Sequence, residues 1–170
     1  FEKEELDNNP WYSLNYFNIS KIIISDGVIS IGDYSFYKCN SLISIEISNS
    51  VKSIGKSSFS HCVNLQTIQL PSSITAIGTS SFSHCTNLRY IWLPNSLNSI
   101  GLHPLSHCNN LEIIFYSGSN ESYFDEQLRE GNHANIIRDQ SKSPKSIDHI
   151  FQPYLQYQYK GKQKQIKVSC

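Results

Sequence analysis

The chain has 170 residues, 14 Lys plus Arg against 14 Asp plus Glu, and a formal net charge of zero, with 39% hydrophobic residues and no methionine. This is enough apolar material for one domain. No stretch of about 18 apolar residues reads as a membrane span, no segment reads as a signal peptide, and no broad basic field invites nucleic acid.

In chain order, residues 1–10 carry Glu2, Glu4, Glu5 and Asp7 against Lys3, and do not read as a segment that folds alone. A chain that starts at Phe1 and lacks methionine reads as a piece of a longer protein. In the apolar run Ile19 to Val28 (ISKIIISDGV), Ile19, Ile22 and Ile24 fall in the same columns as Leu42, Ile45 and Ile47 of the repeat that follows. From Val28 onward one unit of 23 residues recurs four times without insertion: VISIGDYSFYKCNSLISIEISNS, VKSIGKSSFSHCVNLQTIQLPSS, ITAIGTSSFSHCTNLRYIWLPNS and LNSIGLHPLSHCNNLEIIFYSGS. Gly32, Gly55, Gly78 and Gly101 form one column, Cys39, Cys62, Cys85 and Cys108 another, and Ile, Phe and Leu columns run beside them. One copy holds too few apolar positions to enclose a core. Each coil must therefore bury its columns against its neighbours, and the stack is the folding unit.

Within a coil the LxxIxL end reads as a strand, stopped by Pro71 and Pro94, which offer no N–H to a ladder. A short second strand runs into the glycine, which suits a tight corner or a positive φ. The apolar spacing from Phe59 to Cys62 and Leu65 leaves room for about one or two helical turns.

The pattern IGxxSFxxCxNLxxIxLP, whole in Ile54 to Pro71 and again in Ile77 to Pro94, resembles the BspA-type leucine-rich repeats of bacterial and protist surface proteins. Pro10, Trp11 and Ile19 to Val28 are similar to that family's opening half-coil, and FYSGSNESYFDEQLREGNHANII to its closing unit of strand, Gly turn, short helix and last strand. Pro104 and Leu105 depart from the pattern in the fourth copy. The resemblance implies a repeat solenoid: a right-handed leucine-rich-repeat horseshoe fragment, with a parallel β-sheet on the concave side and short helical turns and second short strands on the convex side. The corresponding division is 1–27 for the half-coil and cap, 28–118 for the four repeats, 119–138 for the closing unit and 139–170 for a basic linker with a hairpin or the start of a further domain. It also implies a non-catalytic interaction module, exposed at a cell surface and binding a protein or surface glycan. A structural spacer in a longer protein is the competing reading.

The four spaced cysteines share a column with apolar neighbours and read as buried free thiols. Each of His61, His84 and His107 precedes one of these cysteines, so the three read as an outward convex column with no geometry that converges on a metal. Ser57, Ser58, Ser80 and Ser81 recur by repetition, and Asp125, Glu126 and Glu130 read as a solvated helix face, so neither a catalytic group nor a cofactor site emerges. What varies is the outward side of the main strand. The residue before its second Ile runs Lys21, Ser44, Thr67, Tyr90, Ile113, and the residue after it Ile23, Glu46, Gln69, Trp92, Phe115.

Both columns turn apolar toward the carboxyl end. Tyr90, Trp92, Ile113 and Phe115, with Arg89 and Gln69 beside them, form the candidate partner-binding patch. Either the patch is free to bind, or it is covered by residues 139–170 or by a neighbouring part of a longer chain. In that tail, YLQYQYKGKQKQIKV alternates on both sides of Lys160-Gly161-Lys162 and reads as a hairpin needing an apolar partner, either the aromatic patch or a following domain. Two sequons, Asn18-Ile19-Ser20 and Asn120-Glu121-Ser122, are compatible with an extracellular protein.

Overall fold

The computed structural model describes residues 18–116, 118, 121–138 and 164–168. It is a parallel β-solenoid of about five turns built from 23-residue coils. The main strands are β1 (Ile19–Ile24), β3 (Ser44–Ile47), β5 (Thr67–Gln69), β7 (Tyr90–Leu93) and β9 (Ile113–Tyr116), alternating with two-residue strands β2 (Ser30–Ile31), β4 (Ser53–Ile54), β6 (Ala76–Ile77) and β8 (Ser99–Ile100). Helix α1 (Glu121–Arg129), β10 (Asn135–Ile137) and β11 (Lys164–Val168) follow.

Register follows the repeat, because a one-coil step carries each residue to the same column. Ile31 pairs with Ile54, and Ile54 with Ile77, in the four-stranded sheet β2-β4-β6-β8. The main strands form two hydrogen-bonded groups, β11-β1-β3 and β10-β9-β7-β5. Among the described residues no ladder joins β3 to β5. Ile45 and Ile47 of β3 are only partly buried, whereas Ile68 and Ile91 in the next coils are buried.

The core is a set of ladders running along the stack. Val51, Ile74, Phe59, Leu65, Leu88 and Ile91 are fully buried. The rings of Phe36, Phe59 and Phe82 stack at 5.2 and 5.3 Å, an arrangement that adds about 0.5–1.5 kcal/mol per pair to area burial. Leu105 ends the series and is itself buried. The cysteines serve the same core. Each of the last three thiols donates to the Phe carbonyl of the preceding coil, Cys62 Sγ to Phe36 O at 3.3 Å and both Cys85 to Phe59 O and Cys108 to Phe82 O at 3.2 Å. Burial pushes the Cys39 and Cys108 thiols up to about 12 and raises Cys62 and Cys85 well above the ordinary thiol value. All four cysteines are free.

Where the spacing predicted helical turns, the convex side carries consecutive β-turns, with Cys62 N donating to Phe59 O and Leu65 N to Cys62 O. Two columns there adopt positive φ: Tyr34, Ser57, Ser80 and His103, then Lys38, His61, His84 and His107. The left-handed conformation costs a residue with a side chain roughly 1–2 kcal/mol, and the ladder it permits offsets this. The N–H groups of Ser57, Phe59 and His61 point along the stack and donate to Thr79, Ser81 and Ser83 of the next coil at 2.8–2.9 Å. An α-helix would turn those N–H groups back into its own coil. Pro104 fits this scheme in the column of Ser58 and Ser81, positions whose N–H donates to no carbonyl of that ladder.

The tail strand β11 pairs in parallel with β1. It therefore sits at the amino-terminal edge of the main sheet, a place other than the two partners considered for it from sequence. The other arm of the expected hairpin, 154–159, lies outside the described residues.

Candidate binding face

The outward columns of the main strands carry a gradient. At β1 they hold Lys21 and Ile23, and at β3 and β5 they are polar; Lys21 Nζ meets Glu46 Oε1 at 2.5 Å. At β7 and β9 they are apolar. Because Tyr90 pairs with Ile113 and Trp92 with Phe115 in the β7–β9 register, these four side chains occupy adjacent rungs of one face. They form a small cluster separate from the core, in which Tyr90 keeps 7% of its surface and Trp92, Ile113 and Phe115 are partly buried. The Trp92 and Phe115 rings stack at 4.7 Å with planes 7° apart.

A polar rim fixes this cluster. Glu112 accepts hydrogen bonds from Arg89 Nε at 2.7 Å and from Tyr90 Oη at 2.9 Å, and pairs with the rest of the Arg89 guanidinium. That guanidinium lies 5.4 Å from the Tyr90 ring centroid. The bonds from Arg89, then from Tyr90, hold the Glu112 carboxyl below the ordinary carboxylate value. The structure thus brings Tyr90, Trp92, Ile113, Phe115 and Arg89 together. Gln69, the register partner of Trp92, is exposed one rung earlier.

Two residues escaped the sequence reading. Ile137 of β10 pairs with Phe115 and extends the second column by one rung; aligning Ile136 with Ile114 would have located it. Glu112 follows Arg89 by one 23-residue period, so their ion pair is a consequence of the repeat.

On the convex side His61 and His84 stack at 4.3 Å and His84 and His107 at 4.4 Å, with Tyr37 edge-on to His61 at 5.5 Å. Burial, then the neighbouring His84 and Lys38, lower the His61 value; burial, then His107, lower that of His84. Parallel rings one coil apart present their nitrogens side by side rather than toward one point. Among the described residues no group of three His, Cys, Asp or Glu side chains could hold a metal ion. Of the carboxylates on or beside α1, Asp125 pairs with Arg138 and Glu130 with His103. Among the described residues no helix is long and apolar enough to cross a membrane.

Stacked coils of one period, ladders of Ile, Phe, Cys and Leu, and a parallel sheet with a variable outer face define a leucine-rich-repeat solenoid. The chain belongs to the BspA-type leucine-rich repeat family, whose sequence model matches residues 9–129 in six copies. Among solved structures, the chain is similar to a leucine-rich repeat protein from Bacteroides ovatus, with 31% identity, a TM-score of 0.61 and coverage of 69% of this chain and 30% of that one. A leucine-rich repeat protein from T. pallidum shares the fold at 20% identity and a TM-score of 0.50, over 85% of this chain and 86% of that one. No curated protein matches the chain. The chain spans only 30% of the Bacteroides protein's length. Family membership establishes a repeat scaffold.

Proposed function

We propose that this chain is a non-catalytic interaction module whose concave face binds a protein or surface glycan through Trp92, Ile113 and Phe115, with Tyr90 as their packed floor and Arg89 and Gln69 at the margin. One observation carries the reading: the outward columns, polar at β3 and β5, become a stacked aromatic patch at β7 and β9. Aromatic anchors beside an arginine are the residue types that dominate interface energies. In this reading residues 28–118 supply the surface and 119–138 close the stack, and the family likeness favours display at a cell surface.

A second reading, a spacer with no ligand of its own, draws on the burial of Tyr90 and its bond to Glu112, which use part of the patch within the chain. The two separate on one comparison. Trp92→Ala and Phe115→Ala are screened beside the unsubstituted chain on a glycan array and a panel of cell-surface proteins, with urea unfolding in parallel. Loss of a captured ligand with stability within about 1 kcal/mol supports binding, whereas a loss of several kcal/mol with no ligand found assigns the patch to the fold.

A further inference from the structure

The two ends of the main sheet are finished differently. At the carboxyl end β10 is three residues long, begins with an exposed Asn135 and leaves little edge to template another strand. At the amino end β1 is the longest strand among the described residues, six residues reading ISKIII, with Ile22 and Ile24 buried and a single lysine. A long apolar strand of that kind, left open, is a ready template for another chain.

That edge carries β11. Its register is Gln165 with Lys21, Ile166 with Ile22, Lys167 with Ile23 and Val168 with Ile24, after an irregularity between Ile19 and Lys21. On the other side of β1, Ile22 pairs with Ile45 and Ile24 with Ile47. Ile166 and Val168 therefore occupy the rungs of the two core columns that Ile22 and Ile24 begin, while Gln165 and Lys167 fall in the outward columns of Lys21 and Ile23. A one-residue slip would have reversed that assignment. The tail repeats the alternation of a main strand and falls into step with the solenoid, although it shares no 23-residue period with it.

We propose that the β1 edge is a strand-addition site whose occupant is this chain's own segment Lys164–Val168, which stands in for one further coil and closes the amino-terminal end of the stack. Recognition rests on main-chain hydrogen bonds with apolar residues at alternate positions. Chain length permits closure within one molecule. Coils about 4.8 Å apart put β11 roughly 30 Å from β10 along the stack, while the roughly 26 intervening residues reach up to about 85 Å when extended.

The test uses the full chain with Ile166→Asp, which places a charge on a core rung, against Lys167→Asp on an outward rung. Hydrogen exchange at the β1 amides and light-scattering mass over a concentration series are the readouts. In Ile166→Asp the β1 amides should exchange at least about tenfold faster, those of β7 and β9 should keep their protection, and the mass should rise with concentration as bared edges pair. A synthetic peptide of residues 162–170 should reverse both effects, and Lys167→Asp should behave as the unsubstituted chain. Val168→Ala, a milder change, should show the same β1-limited pattern at smaller size even where Ile166→Asp unfolds the chain. Unchanged β1 exchange in Ile166→Asp and Val168→Ala overturns the proposal. So does an unsubstituted chain that is dimeric with tails exchanged between copies, since the occupant would then be a second molecule's.

Discussion

Replacing Gly78 by alanine adds one methyl where coils come closest. A Cβ on Gly78 would lie 2.6 Å from both the Gly55 carbonyl carbon and the Lys56 nitrogen, about 0.8 Å inside ordinary van der Waals contact. Both atoms are backbone, so no rotamer change relieves the overlap; the coils must part. They are held there by Gly78 N–H donating to Ile54 O at 2.8 Å, the bond that Gly55 and Gly101 repeat in their own coils. Overpacking of this kind costs about 1–3 kcal/mol and weakening the hydrogen bond up to about 1 kcal/mol, offset by about 0.4–1 kcal/mol of lost freedom in the unfolded chain. The expected net loss is about 2 kcal/mol, measured as a shift of the urea midpoint by circular dichroism. Gly32→Ala is the internal control: its Cβ would meet only Ser35 Oγ at 3.2 Å, a side chain that can rotate, so the loss should stay within about 0.5 kcal/mol. Equal losses in the two variants would refute the close-approach account.

The four column thiols should resist a thiol reagent at pH 8 in the native chain and react at the rate of unfolding, because burial raises all four values and three of the thiols are engaged with carbonyls; rapid labelling of Cys62 or Cys85 in folded protein would contradict this. Acid should weaken the fold in two windows. His61 and His84 have folded values below the ordinary histidine value of about 6.5, so the unfolded chain binds more protons, and stability present above about pH 6.5 is lost as pH falls through that value toward the folded ones. Glu112 acts in the same direction lower down, with stability present above about pH 4.5 and lost as pH falls further. Melting temperatures between pH 7.5 and 5 should fall in the unsubstituted chain and flatten in His61→Asn/His84→Asn, asparagine being tolerant of positive φ; an equal slope in both would remove the stacked histidines as the cause.

The stack, its strands and its buried columns were legible because repetition multiplies each weak cue by four: one Ile-x-Leu is ambiguous, but a column of Ile45, Ile68, Ile91 and Ile114 is not. The convex turns were misjudged because the spacing of Phe59, Cys62 and Leu65 is produced equally by helical turns and by successive three-residue turns. What separates them is the sign of φ at Ser57 and His61, for which histidine and serine give only a weak cue and glycine would have given a plain one. A tight corner and a positive φ would both call for glycine, and the structure selects between them: none of Gly32, Gly55, Gly78 and Gly101 is among the positive-φ residues, and for the last three it is the preceding coil that forbids a side chain. The tail's alternation gave a strand but not its partner, since Ile166 and Val168 would suit any apolar edge, and only the register with Ile22 and Ile24 selects one.

The same multiplication explains why function must be sought where the columns fail to repeat. A residue type held in every coil stacks on itself, as the Phe rings, the thiols and the Ser50, Ser73 and Ser96 hydroxyls donating to Val28, Val51 and Ile74 carbonyls all do. Its energy is spent between coils. Thr67 and Gln69 give way to Tyr90 and Trp92 across a single period with no change in the backbone that carries them, since β5 and β7 stay paired residue for residue. Neither the ladder nor the core requires that change. Half of it is absorbed internally, through the Tyr90 to Glu112 bond, and half forms a stacked, partly buried Trp92 and Phe115 pair that gains about 0.5–1.5 kcal/mol from stacking. In the function proposed above, that pair is the part of the sheet that a partner would engage.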